Sequence, residues 1–223
     1  MAITIDGSSG IASVDGSAGS PSVRGTDANS GILYTADAIK FSTGGTQRAV
    51  IDNNGLSAAG HVIQVVQGIK KDTSSNSTSA TSYWNSDVTV DITPSHASNK
   101  ILLTGYVCVA VAGPQHNIGV AIHKAGSLIT DYLADSAGSR SRTASIGTNS
   151  PGGGSSYIHN TQACIPFEFL DTGGGTSAIT YGIAIRNPSS ISRTIKINYA
   201  DTDTNDIYHY RAVSVITATE IAA

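Results

Sequence analysis

Sixteen carboxylates are the first place to look for catalysis, and fourteen of them are aspartates. Glycoside cleavage needs two positioned carboxyl groups, one acting as acid and one as base or nucleophile. The only glutamates, Glu168 and Glu220, sit in strand-like runs. Glu168 lies between Phe167 and Phe169, so on a period-two strand it points away from both rings and toward solvent. Most aspartates lie among Gly, Ser and Asn, where they form turns. No G-x-S-x-G elbow raises a serine nucleophile. The histidines, His61, His96, His116, His123, His159 and His209, show no HxH or HxxxH spacing. Each is read as a polar surface residue or a satisfied partly buried group; His61, at the junction before Val62, is the one to watch for a metal held by histidines about a three-fold axis. Asp201-Thr202-Asp203-Thr204-Asn205-Asp206 copies the first half of a calcium loop. Asp206 stands where the turn glycine belongs, and Ala212 where the bidentate glutamate belongs. We read this segment as a solvated turn and expect no catalytic residue, no metal and no cofactor.

Recognition is the remaining chemistry. Tyr83-Trp84 carries the only tryptophan, and Tyr208-His209-Tyr210 follows the acidic turn. Aromatic faces beside Asp and Asn groups suit saccharides, which stack on rings and hydrogen-bond at their edges. Arg140 and Arg142 form the only close arginine pair, in a long Gly/Ser-rich loop from Gly138 to Tyr157. Long loops on a rigid β scaffold collect binding residues. The candidate receptor-binding set is therefore Tyr83, Trp84, Arg140, Arg142, Asp201, Asp203, Tyr208, His209 and Tyr210. A plainer reading stands beside it: Trp84 plugs the end of a sandwich, the tyrosines line a subunit interface, and the arginine loop touches a neighbouring subunit.

The elements that must hold these residues are strands. Glycine (24), serine (30) and threonine (23) dominate, and no segment sustains a helical period with caps. Charged residues are 13% of the chain and the net charge is −3, which argues against a nucleic-acid binder with its clustered Lys and Arg. No run of about 18 apolar residues exists, so no membrane-inserted helix is expected. MAITIDGSSG has neither the basic nor the apolar region of a secretory signal. Cys108 and Cys164 lie in apolar runs without metal-type spacing and are read as reduced core thiols; a bridge between them is the alternative.

Three regions follow. Residues 1–60 hold short strands (Ile3–Ile5, Ile32–Tyr34, Ile39–Phe41, Ala49–Ile51) between turns such as Asp15-Gly16, Gly44-Gly45 and Asn53-Asn54-Gly55. Such strands cannot bury a core alone, so several copies of the chain are expected to share one. Residues 61–82 are a connecting apolar strand and a Ser/Thr-rich loop, residues 73–82. Residues 83–223 carry about eight longer strands: 87–92, 100–111, 117–123, 127–133, 162–170, 178–186, 193–199 and 210–219. We read them as a jelly-roll-like β-sandwich.

Two stretches resemble known families. Asp37-Ala38-Ile39-Lys40-Phe41-Ser42-Thr43-Gly44-Gly45-Thr46-Gln47-Arg48, followed by Ile51-Asp52-Asn53-Asn54-Gly55, is similar to a module of bacteriophage tail fibres and related virion appendages. Its upstream turn, Gly25-Thr26-Asp27 to Tyr34, departs from that pattern by an inserted Thr26 and by Leu33 displacing the tyrosine. Asp87–Ile92, Thr93-Pro94-Ser95, Ser98, Lys100-Ile101-Leu102 and the closing Val215 to Ile221 segment resemble a phage C-terminal domain. The resemblance implies a virion protein assembled in the host cytoplasm, a homotrimer whose N-terminal stem meets other virion proteins. Its knob would contact a host surface glycan or protein. A tail fibre or spike is the first expectation; a capsid-decorating head fibre and a polysaccharide-degrading enzyme are the alternatives.

Overall fold

The computed structural model describes residues 5–6, 10–11, 15–79, 82–111, 117–148, 161–187 and 192–223. They are all-β, and no helix occurs among them. The chain forms two compact units, residues 1–63 with 221–223, and residues 64–220.

In the first unit, β1 (Ile5–Asp6) pairs with β2 (Gly10–Ile11), and β3 (Gly16–Ser17) with β4 (Ser20–Pro21). A five-stranded antiparallel meander follows: β5 (Val23–Arg24), β6 (Gly31–Thr35), β7 (Ala38–Thr43), β8 (Thr46–Asp52) and β9 (Gly55–Ala58). Gly44 and Gly45 both take positive φ, 58° and 74°, the two-residue turn whose twist matches that of the strands it joins. Cross-strand register puts Val23, Ile32, Phe41, Ala49 and Ala58 in one row, and Tyr34, Ile39, Ile51 and Leu56 in the next. Paired residues share a face, as do residues two apart along a strand. All nine side chains therefore stand on one side of the sheet. On the other side Leu33 and Ser42 are buried, and the backbone N–H of Tyr34 donates to the carbonyl of Asp15 beside the β3–β4 hairpin.

The second unit contains β10 (Val62–Lys70), β11 (Ser74–Thr78), β12 (Tyr83–Ile92), β13 (Lys100–Val111), β14 (Asn117–Lys124) and β15 (Ser127–Leu128). The chain continues through β16 (Ser145–Thr148), β17 (Ala163–Asp171), β18 (Ile179–Arg186), β19 (Arg193–Ile197) and β20 (Ser214–Ile221). One sheet runs β10-β20-β13-β19-β11, with β17 on the far edge of β13; the other runs β12-β18-β14, with β15 and β16 paired to β14. The pairs nest: β10 with β20, β12 with β18, β13 with β17, β14 with β16. That is one long antiparallel hairpin rolled into two facing sheets, the jelly roll, with β11, β15 and β19 added. Alternation drives it. In β12, Ser86, Val88, Val90 and Ile92 are buried while Asp87, Thr89 and Asp91 face out. Between the sheets lie Ile101, Leu103, Ile118, Ile122, Ile183 and Ile216, all at most 1% exposed.

Several sequence expectations need correction. The Ser/Thr run at 73–82 is not simply a loop, because Ser74–Thr78 forms β11 against β19. Strand 127–133 ends at Leu128, and the last strand is Ser214–Ile221 rather than 210–219. The loop from Gly138 contains β16, and its residues 149–157 lie outside the described residues, as do His116, His159 and most of Ile3–Ile5. Cys108 and Cys164 are not reduced thiols. They face each other across β13 and β17 and are joined by a disulfide. Glu168 is exposed, with Phe167 on the buried side, as its period requires.

Glu220 is the glutamate that the sequence places in a strand-like run without an orientation. It is fully buried, and four donors meet it. Oε1 accepts from Ser95 N at 2.7 Å, Ser95 Oγ at 2.8 Å and Asn99 Nδ2 at 2.6 Å, and Oε2 accepts from Gln64 Nε2 at 2.6 Å. Burial pushes its carboxyl up, but the bonds from Asn99, Gln64 and Ser95 outweigh burial and hold it below the usual glutamate range. One carboxylate thereby ties β10, the β12–β13 corner and β20 together.

Candidate functional site

The loop from Tyr199 to Arg211 is the best-built exposed feature of the second unit. Its feet are clamped. Asn198, at φ 65°, donates its N–H to the Cys108 carbonyl at 2.9 Å, and its side-chain amide reaches the carbonyls of Lys70 and Asp72. Ser214 Oγ donates to Asn198 Oδ1 at 2.6 Å and accepts from Cys108 N at 3.0 Å. Ala212 N donates to the Asn198 carbonyl, and Tyr199 bridges Arg211. Asn198 and Ser214 are fully buried, so both polar residues spend their bonding capacity on fixing where the loop leaves and returns.

Within the loop the charges are paired. Lys196 meets Asp201 Oδ1 at 2.9 Å and lies 5.5 Å over the Tyr199 ring. Arg211 clasps Asp203 through Nη2 at 2.6 Å and Nε at 3.4 Å. Asp206 Oδ1 accepts from His209 Nδ1 at 2.7 Å and from Tyr208 N at 2.8 Å, and these bonds hold its carboxyl below the usual aspartate range. The His209 side chain is only 9% exposed. Its Nε2 is buried without a hydrogen-bond partner among the described residues. Asp203, Thr204, Asn205, Asp206, His209 and Arg211 line a hollow of about 400 Å³. Beside it Ile207, Tyr208 and Tyr210 are 80%, 68% and 73% exposed.

Exposed aromatic faces next to a polar hollow can stack on and hydrogen-bond a saccharide. Asp206, its carboxyl held ionised by His209 and a backbone N–H, is not a proton donor near neutral pH. Among the described residues, no group of three or more His, Cys, Asp or Glu could hold a metal.

The structure brings Asp201, Asp203, Tyr208, His209 and Tyr210 into this one loop. Tyr83, Trp84, Arg140 and Arg142 belong to a second place and are largely occupied with bracing. Tyr83 OH donates to the Arg142 carbonyl at 2.8 Å, its ring lies 5.8 Å from the Arg186 guanidinium, and burial raises its phenol. Trp84 packs against the sandwich core. Arg142 donates to the carbonyls of Thr130, Leu133 and Ala134, and Arg140 to that of Ala137. Arg211, Asn205 and Ile207 are site residues that sequence reasoning missed. Arg211 lies eight residues from Asp203, a separation that becomes contact only because the loop returns on itself at Tyr199 and Arg211.

No family model matches the chain, and no curated protein matches it either.

Proposed function

We propose that this chain is a bacteriophage virion structural protein, a homotrimeric tail fibre or spike. Its first unit would form a shared stem, and its jelly roll a knob for host-surface attachment. One observation carries the reading: the nine-residue apolar face of the β5–β9 sheet. Val23, Tyr34, Ile39, Phe41, Ile51 and Leu56 on that face are each 37–49% exposed, whereas Leu33 and Ser42 on the opposite face are buried. Covering a large apolar side chain is worth about 1.5–3 kcal/mol from full exposure, so each half-exposed residue here offers roughly 1 kcal/mol to whatever covers it. Identical copies meeting on that face would supply the core that short strands lack. The resemblance of residues 37–55 to tail-fibre stems supports the same arrangement.

In a trimer the Tyr199–Arg211 loop occurs three times, so weak individual contacts add through effective concentration. The ligand class that fits the loop is a host-surface saccharide. The test is the full chain on an array of bacterial surface polysaccharides, beside a Tyr208→Ala/Tyr210→Ala variant whose exposed rings support no core. Binding that the variant loses, with no release of new reducing ends, is the expected result. Cleavage of the polysaccharide, or variant binding equal to the parent's, overturns the reading.

A further inference from the structure

We infer that the Cys108–Cys164 disulfide is a redox-operated latch on the Tyr199–Arg211 loop, an inference that rests on the attachment reading only for its purpose. Three of the loop's anchors meet this pair or its near neighbour. Cys108 spends its backbone on the loop's feet: its carbonyl accepts from Asn198 N, and its N–H donates to Ser214 Oγ. In an antiparallel ladder a residue's N–H and C=O point to the same side. Cys108 therefore turns its backbone away from Cys164, so only sulfur joins this pair directly, within a β13–β17 ladder that continues on either side through Val107 with Ile165 and Val109 with Ala163. Two residues before Cys164, Gln162 donates its side-chain amide to the Tyr210 carbonyl, a third anchor on the loop. The bridge thus adds a covalent tie, at the level of the loop, to the ladder between the strand that holds the feet and the strand that holds the far side.

The pair is placed to react. Cys108 is buried, whereas Cys164 is exposed, on a strand that pairs only with β13 among the described residues. A dithiol reductant opens it in two balanced steps. Its thiolate attacks the Cys164 sulfur, the S–S bond breaks, and Cys108 leaves as a thiolate that takes up a proton. The second thiol then displaces Cys164, which is protonated in turn, and the reductant departs as its own disulfide with two electrons given up. A disulfide oxidant runs the sequence backward. In a reducing cytoplasm the loop is unlatched, and in an oxidising exterior it is latched. For a particle built inside a cell and used outside it, the attachment loop would become ordered only after release.

Hydrogen–deuterium exchange on the full chain tests this, comparing the air-oxidised protein with the protein in dithiothreitol. The expected result is an increase of about ten-fold or more in exchange across residues 199–212 on reduction, with β12, β14 and β18 unchanged. Oxidised glutathione should reverse it. A Cys108→Ala/Cys164→Ala variant should show the fast loop without reductant. Unchanged loop exchange overturns the inference, and so does acceleration of the whole sandwich, which would make the bridge a general staple. Exchange needs no ligand: a chain that binds no saccharide in either state refutes the attachment reading, while the loop's exchange still decides the latch.

Discussion

Replacing Glu220 by glutamine removes one negative charge and almost no volume from a point of the jelly roll where four donors meet. Three donors converge on Oε1 and keep an oxygen to bond, but they lose charge assistance, a difference of about 1 kcal/mol each. The new Nε2 would face Gln64 Nε2, donor against donor. Gln64 cannot turn over to accept, because its amide also donates to the Thr93 carbonyl at 2.7 Å. An unpartnered buried donor adds about 1–3 kcal/mol, and relief from burying a charge offsets part of the total. The net expectation is roughly 2–3 kcal/mol of lost stability, on the order of a 1 M drop in urea midpoint at fixed protein concentration and pH 7. The pH dependence has a definite sign. Glu220 titrates below its usual value in the fold, so its contribution is complete above the ordinary carboxylate range and is lost as pH falls through the folded value. The gap between wild type and Glu220→Gln should therefore close as pH drops from about 5 toward 3. Equal midpoints at pH 7, or a gap undiminished at pH 3, would refute the reasoning.

Two further substitutions probe the packing. Ile183→Ala empties a fully buried site between the sheets and should cost about 2–5 kcal/mol, read from the urea midpoint. Gly105→Ala places a methyl against the Val215 carbonyl and the Phe167 ring, where neither backbone nor ring has room. A loss of about 1–3 kcal/mol in thermal unfolding is expected.

How much of this was legible depended on whether a signal was local. Asp87–Ile92 alternates, and Lys100–Val111 is continuously apolar, so both strands could be read from their own residues. Ser74–Thr78 could not, since a polar strand is stabilised by its pairing with Arg193–Ile197, more than a hundred residues away, and its composition is that of a loop. Ser145–Thr148 was hidden for the same reason among glycines and serines. The disulfide needed the β13–β17 register, which puts Cys108 opposite Cys164; neither cysteine's neighbours reveal it. Glu220 was visible as a strand glutamate, but its four donors come from positions 64, 95 and 99, and only the rolled hairpin brings them together. In the candidate site, the aromatic and acidic residues of 201–210 were legible because they are consecutive, whereas Arg211's clasp on Asp203 required the loop to close. Tyr83, Trp84 and Arg142 resembled recognition residues by type, and the fold shows what else occupies them: a carbonyl, a core and a strap of backbone.

The central claim is that the open face of the β5–β9 sheet is covered by other copies of the chain. Light scattering on the full chain measures this directly, beside a Phe41→Asp/Ile51→Asp variant that places charges on the exposed face and leaves buried Leu33 and Ser42 on the other side untouched. The account predicts a mass of three times 22.8 kDa for the parent and a single chain for the variant. A monodisperse, folded monomer of the parent, or a variant with the parent's mass, would contradict it.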